Sequence, residues 1–557
     1  MRHKRFTLVA DRSRVSLLVE TNTGFKMNLS LVNCSLTGVG AIYDNLMPEN
    51  EGLEVGSILP AAKLICEGSE ITLGRLVLRR LDAREKETHL GFSTMDTRIP
   101  VDGVLSRYIA QDMESRPNPY SYELGPEKFS LINFKDVSQP NVDLFQRTRK
   151  FQIFYEDFTK RYQLGSVRTA SKGERIKLTK KRKAGRNDYL VMASNDYLGL
   201  ACHPEVMSAA KKAIDDYGFG ATGSPLTTGL SDLHEELSEI LATMLHKEKV
   251  MIFNSGYAAN LGLITGLTTA QDLIVADLLC HASIQDALTT SNATTRFFKH
   301  NDPAHLKKVL KDQRESHGGA LVVTEGVFSM DGDVPPLKKI SDMAREFGAR
   351  LMVDEAHSFG VVGPHGLGAW EKYPDAKVDI IMGTFSKVCG GIGGFVAATE
   401  EVINWLNWFA RSYMFSVAIP PSTAAAAIAA LQIFQSEPQR VEKLHANIRY
   451  FVTGLIELGL KMNPAHESPV IPMIIGDEAK IATMNNIYRE AGIFVTPIGY
   501  PAVPRKRERF RFTMMATHST SDLDYVLSVT EKALRVAGVP LHVEDEEDES
   551  TELKIAK

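Results

Sequence analysis

Short apolar runs separated by polar breaks fill the first 110 residues of the chain. The seven runs are FTLVA, VSLLVET, MNLSLVNCS, GVGAIYD, AKLICEG, ITLGRLVLRRL and THLGFS. Gly, Asn, Asp and Pro separate them at the short, regular spacing that is typical of an all-β barrel or sandwich. No helical pattern of useful length interrupts the runs, so the sequence predicts a small β domain over residues 1–110.

The pattern changes at about residue 149, where apolar runs begin to alternate with amphipathic helical stretches. The apolar runs are KVMIFNSG, DLIVADLLCH, ALVVTEG, RLMVDEAH and DIIMGTFSK, and the helical stretches include LHEELSEILATML and LKKISDMAREFG. This alternation predicts an α/β fold with a mainly parallel sheet and helices on both faces. Beyond about residue 400 the pattern predicts helices and then a smaller C-terminal α+β lobe. Residues 149–540 therefore form one predicted two-lobed domain, joined to the first by a Pro- and Asn-rich connector over 111–148.

Composition places the chain among ordinary globular proteins. Of its 557 residues 44% are hydrophobic and 24% charged, and the formal net charge of −4 argues against a generally basic nucleic-acid binder. Residues 541–557 hold seven acids and two lysines, which predicts a disordered acidic tail.

The cysteines, the start of the chain and the length of its longest apolar stretch together favour a cytoplasmic location. The five cysteines are widely spaced and form no CxxC pair, which argues against a disulfide scaffold or a zinc site and favours a reducing compartment. The start, MRHKRFTLVADRSR, lacks the apolar core of a signal peptide. The longest apolar stretch is too short to span a bilayer.

An acid and a lysine follow two of the predicted strands. Asp354 ends the run that begins at Arg350, and Lys387 follows the run 379–382, with a cluster of four glycines directly after it. Ligands of α/β folds bind at the carboxyl ends of the strands. Pyridoxal phosphate needs a lysine that forms an imine with it and a carboxylate that keeps its pyridine nitrogen protonated. Taken singly, the acid would be a helix cap and the lysine a solvated side chain, but together they predict a site for this cofactor.

Seven motifs in residues 150–537 resemble the α-oxoamine synthases, which are fold-type-I pyridoxal-phosphate enzymes. This family includes aminooxononanoate synthase, glycine C-acetyltransferase, 5-aminolevulinate synthase and serine palmitoyltransferase. The motifs are SNDYLGLACHPEV, FNSGYAANLG, CHASIQDA, TEGVFSMDGD, VDEAHSFGVVGPHGLG, GTFSKVCGGIGG and RFRFTMMATHS. Their order and spacing match the family, so the resemblance is specific.

The resemblance implies roles for four side chains around the cofactor ring. Lys387 is similar to the Schiff-base lysine and Asp354 to the partner of the pyridinium nitrogen. His357 would reach the phenolic oxygen, and His281 is similar to the histidine that stacks on the ring.

The resemblance also implies a phosphate cradle. Ser255, Gly256 and Tyr257 follow a strand and open a helix, so their backbone N–H groups would hold the phosphate. Thr384 would add a hydroxyl. Ser329 would bond the phenolic side of the cofactor, with capping of its own turn as the alternative.

The implied reaction condenses an amino acid with an acyl thioester and releases CO₂, giving an α-amino ketone. Asn195 and Arg511 match the positions that bind the amino-acid carboxylate, and the register against His518 favours Arg511 over its neighbour Arg509. Serine is slightly favoured over alanine and glycine. The acyl donor would be acyl-CoA or acyl carrier protein, and the resemblance implies a homodimer.

A basic stretch covers residues 172–186, where eight lysines or arginines accompany one glutamate. It would bind coenzyme A phosphates, an acidic carrier protein or anionic lipid. The alternative is a solvated loop before the first strand.

The front domain resembles a PilZ domain, a small barrel that often binds cyclic di-GMP. Asn33, Ser35 and Gly38 match its D/N-x-S-x-x-G motif, and Arg5 matches the second arginine of its RxxxR motif. The first arginine position holds Met1, beside which Arg2 is an imperfect substitute. The alternative is that NCSLTG forms only a β-turn.

Two other functional hypotheses stay open on the sequence alone. One is a different fold-type-I enzyme, an aminotransferase or an aldolase, against which the HAS, DEAH and MATHS stretches argue. The other is a nucleotide-responsive adaptor with an inert synthase domain, against which the presence of Lys387, Asp354 and His281 argues.

Overall fold

The structure is a computed structural model that describes residues 168–178, 188–500 and 502–540, together with seven strands between residues 5 and 94. The chain divides into two compact units, Met1–Asn133 and Phe134–Lys557. The predicted connector over 111–148, the acidic tail and Arg2 lie outside the described residues.

The first unit contains one strand for each of the seven apolar runs. The strands are β1 (Arg5–Thr7), β2 (Val15–Glu20), β3 (Lys26–Ser35), β4 (Gly38–Tyr43), β5 (Ile58–Cys66), β6 (Ser69–Ala83) and β7 (Thr88–Thr94). All pairings are antiparallel, and the order β3-β2-β5-β6-β7-β4 returns to β3. The backbone pairing thus closes into a ring, while the relation to PilZ domains stays a prediction.

Fourteen further strands lie in the described part of the second unit. They are β8 (Arg168–Lys172), β9 (Arg175–Leu178), β10 (Asp188–Val191), β11 (Lys249–Phe253), β12 (Leu273–Asp277), β13 (Thr294–Phe298), β14 (Ala320–Glu325), β15 (Arg350–Asp354), β16 (Ile380–Thr384), β17 (Gly394–Ala398), β18 (Val470–Ile474), β19 (Ile493–Phe494), β20 (Thr496–Ile498) and β21 (Arg509–Thr513).

Thirteen α-helices occur among the described residues, with a 3₁₀ turn at Arg314–Ser316. They are α1 (Pro204–Tyr217), α2 (Asp232–Met244), α3 (Gly256–Leu267), α4 (Ala282–Thr290), α5 (Pro303–Gln313), α6 (Leu337–Glu346), α7 (Ala369–Lys372), α8 (Glu400–Phe409), α9 (Arg411–Met414), α10 (Pro421–Ser436), α11 (Gln439–Glu457), α12 (Glu478–Glu490) and α13 (Thr520–Val536).

The large sheet has the strand order β11-β17-β16-β15-β14-β12-β13. Strand β17 runs antiparallel to both of its neighbours, and the other pairings are parallel. Alternate residues of one strand enter different cores: Leu351 and Val353 pack on one side of β15, and Met352 packs on the other. Helix α6 covers the first side through Ile340, and α3 covers the second through Leu263. This confirms the predicted α/β class with helices on both faces.

The smaller lobe is built on the antiparallel sheet β18-β21-β20, against which α11, α12 and α13 pack. A second small sheet has the order β19-β10-β9-β8. The start of the basic stretch forms the β8–β9 hairpin there, and Arg175 forms a 2.7 Å ion pair with Asp522. For these residues the expectation of a loop before the first strand is wrong.

Among the residues that the structure describes, no helix is both long enough and apolar enough to cross a membrane.

Candidate active site

Asp354 and Lys387 lie at the carboxyl ends of adjacent parallel strands. Strand β15 ends at Asp354, which is in register with Met382 of β16, and β16 ends three residues before Lys387. The Asp354 carboxylate is buried. It accepts hydrogen bonds from the Ala356 amide at 2.9 Å and from Asn260 Nδ2 at 2.8 Å. These bonds fix its orientation.

The amine of Lys387 is biased towards its neutral form. Burial lowers its pKa below the usual value of 10.5, and the positive charge of Arg511 lowers it further. Asp354 and Glu325 oppose this shift without cancelling it. A neutral amine is the form that acts as a nucleophile or a base.

Glu325 is a member of this cluster that sequence reasoning missed. It ends β14 and is directly opposite Asp354 in the β14–β15 register. Its carboxyl group is buried and accepts a hydrogen bond from the backbone N–H of His281. Burial raises its pKa well above the usual value of 4.5, and the nearby charge of Asp354 adds to the effect. The signal was available, since Glu325 stands at a parallel strand end as Asp354 does.

His281 caps the amino terminus of α4 and is held in one tautomer. Its Nδ1 accepts from the Ser283 amide at 3.2 Å and is 2.8 Å from the Ser283 hydroxyl. Burial lowers the pKa of the ring below 6.5. In the neutral ring the proton therefore lies on Nε2.

His357, Tyr197, Asn195 and Arg511 form a continuous polar chain. His357 Nδ1 is 2.6 Å from the Tyr197 hydroxyl, and that hydroxyl donates its hydrogen to Asn195 Oδ1 at 3.3 Å. The Arg511 guanidinium donates to the same Asn195 oxygen at 3.4 and 3.5 Å. Burial holds the pKa of His357 well below its usual value and raises that of Tyr197 to about 12. Sequence reasoning missed Tyr197, although it lies in the SNDYLGL motif.

The two arginines of β21 have different partners. Arg509 donates to Asp331 Oδ1 at 2.7 Å and to the Met330 carbonyl at 3.0 Å, so its charge is neutralised inside the protein. Arg511 donates to the Ser329 carbonyl at 2.6 Å and has no carboxylate partner among the described residues. Arg511 is therefore the arginine with a charge to offer a ligand.

The amino terminus of α3 is packed against the end of β16. Ser255 caps the helix by accepting from the Ala258 amide at 3.1 Å. The N–H groups of Gly256 and Tyr257 have no acceptor within the described part of the chain, as first-turn amides do not. A Cβ at Gly256 would lie 3.1 Å from Thr384 Cβ, so a side chain there would fill the space beside the Thr384 hydroxyl.

The remaining candidates are placed less directly. Ser329 contributes its carbonyl to Arg511, and its hydroxyl makes no hydrogen bond to another described residue. Tyr257 is exposed and its hydroxyl donates to Asp286. The structure thus brings Lys387, Asp354, His281, His357, Ser255, Gly256, Thr384, Asn195 and Arg511 to one edge of the sheet.

The donor set at this edge is suited to pyridoxal phosphate. A buried carboxylate, a lysine with a depressed pKa and two free amides beside a hydroxyl match the pyridine nitrogen, the aldehyde and the phosphate. Next to Asp354, Asn260 Oδ1 is buried and has no hydrogen-bond partner among the described residues, so this oxygen can still accept a hydrogen bond.

In the first unit, three paired strands carry four of the residues that the resemblance to PilZ domains suggests for binding cyclic di-GMP. Arg5 of β1 is opposite Ser35 of β3, which is opposite Gly38 of β4. Asn33 lies two positions before Ser35 on the same strand.

Comparison with known proteins points in one direction. The family model described as aminotransferase class I and II matches residues 187–529. An 8-amino-7-oxononanoate synthase from Treponema denticola is 39% identical over 349 residues, which are 62% of this chain and 88% of that protein. A serine palmitoyltransferase from Bacteriovorax stolpii is 38% identical over 355 residues, covering 64% and 84%.

Two further matches extend the comparison. The 4-hydroxy-2,2'-bipyrrole-5-methanol synthase PigH from Serratia sp. is 33% identical over 437 residues, 78% of this chain and 66% of that protein's length. A solved structure of serine palmitoyltransferase with its PLP internal aldimine has a TM-score of 0.68 and 28% identity, and covers 72% of this chain and all of the other.

Proposed function

The chain belongs to the aminotransferase class I and II family and, within it, to the α-oxoamine synthases, and we propose that it condenses serine with an acyl thioester. It is a pyridoxal phosphate-dependent C-acyltransferase whose reaction is a decarboxylating condensation. The observation that carries the proposal is the adjacency of Asp354 and Lys387 at the ends of β15 and β16.

Pyridoxal phosphate, when bound, supplies a protonated ring that accepts the electron pair released at the substrate α-carbon. Asp354 would keep the ring nitrogen protonated, because its carboxylate is buried and already oriented by Asn260 and Ala356. Ser255, Gly256, Tyr257 and Thr384 would hold the phosphate through the helix amides and the hydroxyl. His357 and Ser329 would approach the phenolic oxygen.

Lys387 would remove the proton from the substrate α-carbon. Its depressed pKa supports this role, because a neutral amine accepts a proton that an ammonium cannot. His281, with its proton on Nε2, would lie against the ring and donate to the carbonyl of the incoming thioester. Glu325 holds the His281 backbone in place.

Arg511 and Asn195 would bind the amino-acid carboxylate. The planar guanidinium suits a carboxylate because it donates two parallel hydrogen bonds. Arg511 has no competing carboxylate among the described residues, which supports it over Arg509.

The preference for serine rests on two observations. The PAVP and RFRFTMMATHS stretches resemble serine palmitoyltransferase, and a serine palmitoyltransferase is among the relatives at 38% identity. Loaded enzyme would be assayed for CO₂ and thiol release with serine, alanine or glycine and with acyl-CoA or acyl carrier protein thioesters of increasing length. Turnover of alanine or glycine in place of serine would overturn the substrate, and transamination without CO₂ would overturn the reaction class.

A homodimer is supported by exposed aromatic side chains of the second unit. Phe219, Trp408 and Phe415 are 87%, 67% and 69% exposed. The Ala418 amide donates to the Gly223 carbonyl at 3.1 Å, which joins the segments that carry Phe415 and Phe219. Patches of this kind mark interfaces. Light scattering should report a dimer, and Phe415→Asp should give a monomer.

Cyclic di-GMP binding to the first unit is a second proposal. The register that sets Arg5, Ser35 and Gly38 side by side on β1, β3 and β4 supports it. Calorimetry on the full chain should show binding that Arg5→Ala abolishes. No heat at high micromolar ligand would exclude this function.

A further inference from the structure

His300 lies between two carboxylates at the edge of the large sheet. It follows β13, the edge strand. Its Nδ1 is 3.0 Å from Asp277 Oδ1, and its Nε2 is 2.8 Å from Asp333 Oδ2. An ionised carboxylate only accepts hydrogen bonds, so both ring nitrogens must donate. A ring that donates from both nitrogens is an imidazolium cation.

The surroundings of His300 favour this charge. Burial opposes it, but the hydrogen bonds and charges of Asp277 and Asp333 outweigh burial and raise the pKa of His300 to about 10. The ring therefore differs from those of His281 and His357, whose pKa values burial lowers.

Asp277 anchors one end of this bridge in the sheet. It is the last residue of β12 and is fully buried. Its Oδ1 also accepts from the Leu279 amide at 2.9 Å, and its Oδ2 accepts from the Asn301 amide at 2.8 Å. Both oxygens are thus held by the backbone that follows β12 and β13.

Asp333 closes the other end of the bridge, on the loop 328–333. The Phe328 amide donates to the Asp333 carbonyl at 3.1 Å, and the Gly332 amide donates to the Phe328 carbonyl at 2.8 Å. The Phe328 ring meets the His300 ring edge-on at 4.4 Å. Asn301 Nδ2 adds a hydrogen bond to Asp333 Oδ2 at 2.6 Å. The loop is therefore a closed turn fastened to His300.

The same loop faces the substrate arginine on its other side. The Ser329 carbonyl accepts from Arg511 Nε at 2.6 Å, and the Met330 carbonyl accepts from Arg509 Nη1 at 3.0 Å. An unbroken series of contacts thus runs from β12 through His300 and the loop to Arg511.

We propose that His300, as a cation, is a positioning residue that holds the loop 328–333 against β12 and thereby sets Arg511 for the substrate carboxylate. The inference rests on the proposed function, because the role of Arg511 comes from it. Loss of the charge leaves Asp277 and Asp333 facing a neutral group, which weakens the attachment of the loop. Carboxylate binding then suffers, while the chemistry at Lys387 does not.

Steady-state kinetics of the loaded full chain test the proposal. His300→Gln and Asp333→Asn should each raise KM for the amino acid about tenfold, with kcat changed less than about twofold. The double variant should be no worse than either single one, because both remove the same contact. Asp333→Glu, which keeps the charge, should lie closer to wild type. The matched control is His365→Gln, which removes an exposed histidine that pairs with Glu371.

The charge itself is measured by NMR of histidine-labelled protein, with His300→Gln assigning the resonance. The groups that face the ring are Asp277, Asp333, Asn301 and Phe328. The ring should stay protonated between about pH 6 and pH 9. A ring that is neutral at pH 8 overturns the proposal.

The outcomes separate this inference from the function on which it rests. If the wild type turns over none of serine, alanine and glycine, the proposed function fails. If it does turn them over, an unchanged KM in Asp333→Asn, an equal loss in kcat, or additive effects in the double variant overturn the role of His300. Should His300→Gln fail to fold, Asp333→Asn and Asp333→Glu still decide the kinetic test.

Discussion

The two edges of the large sheet differ in how their charged side chains are arranged. At the carboxyl edge, Lys387, Asp354 and Glu325 crowd together, and the charge of Asp354 raises the pKa of both Lys387 and Glu325, against the effect of burial at the lysine and along with it at the glutamate. At the amino edge, around a cavity of about 650 Å³, Arg350 pairs with Asp379 at 2.9 Å and the Lys247 ammonium donates to the Val378 carbonyl.

The proposed function assigns the reaction to the carboxyl edge and leaves the amino edge to stability. The amino edge follows the ordinary rule that charges are paired or exposed, apart from Lys247, whose pKa burial lowers and whose amine donates to the Val378 carbonyl. The carboxyl edge breaks this rule, and such breaks concentrate at functional sites. The contrast predicts that substitutions at the carboxyl edge change activity and those at the amino edge change stability.

The strongest test of this contrast removes the central amine. Lys387→Ala should lower turnover at least about a thousandfold, because we propose that this one residue supplies both the attachment and the base. Release of CO₂ and thiol measures the effect, with thermal unfolding as the check on folding. Lys377→Ala, which removes an exposed lysine at the amino edge, is the control. A comparable loss of turnover in both variants would show that the two edges do not differ in function.

A sharper test compares the two arginines of β21. Arg511→Lys should raise KM for the amino acid about tenfold or more, because lysine cannot bind a carboxylate bidentately. Arg509→Lys should instead lower the free energy of unfolding by about 1–3 kcal/mol, because it disturbs a buried charged hydrogen bond to Asp331. Urea titration and amino-acid kinetics measure the two effects. The reverse assignment would show that Arg509 is the ligand.

Glu325→Gln tests whether the third member of the cluster is neutral. Because the pKa of Glu325 in the folded state is raised above 4.5, the folded protein binds the proton more tightly than the unfolded chain does. The stabilisation that this proton contributes is therefore fully present below about pH 4.5 and is lost as the pH rises through the pKa of Glu325 in the folded state. Between about pH 5 and pH 8 wild type should lose at least about 1 kcal/mol more than Glu325→Gln, measured by denaturant unfolding. An equal pH dependence would mean that Glu325 is ionised.

The smallest effect is expected at the amino edge. Arg350→Ala removes an ion pair that is mostly exposed, so it should cost at most about 1 kcal/mol of unfolding free energy. Turnover and KM should stay at wild-type values. A change in either would give the amino edge a functional role.

The strands that carry the catalytic candidates could be predicted from the sequence, because buried parallel strands appear in it as continuous apolar runs. The same reasoning did not identify β13, whose sequence TTRFF has no such run, or β17, which begins within the glycine cluster after Lys387. Because Asp354 ends one of these apolar runs and Lys387 follows another, the sequence predicted that they are neighbours. The strands concerned, β15 and β16, are indeed adjacent in the sheet.

The rest of the site depends on contacts between distant segments. Tyr197 joins His357, and Glu325 holds the His281 backbone, through pairings that no local pattern contains. The choice of Arg511 over Arg509 came from family register, while its physical reason, the pairing of Arg509 with Asp331, appeared only in three dimensions. Register likewise placed Arg5 opposite Ser35 across β1 and β3.

The antiparallel strand β17 has a consequence for the order in which the site is assembled. It returns the chain beside β16 directly after Lys387, so the lysine sits in a hairpin whose two arms are hydrogen-bonded to each other. Arg511 belongs to β21, far later in the chain, and pairs there with β18 and β20. During synthesis, which proceeds from the amino terminus, the sheet around Lys387 is complete before β21 exists. A nascent chain would therefore gain the amine that we propose as the reactive group before the arginine that we propose as the ligand of the amino-acid carboxylate.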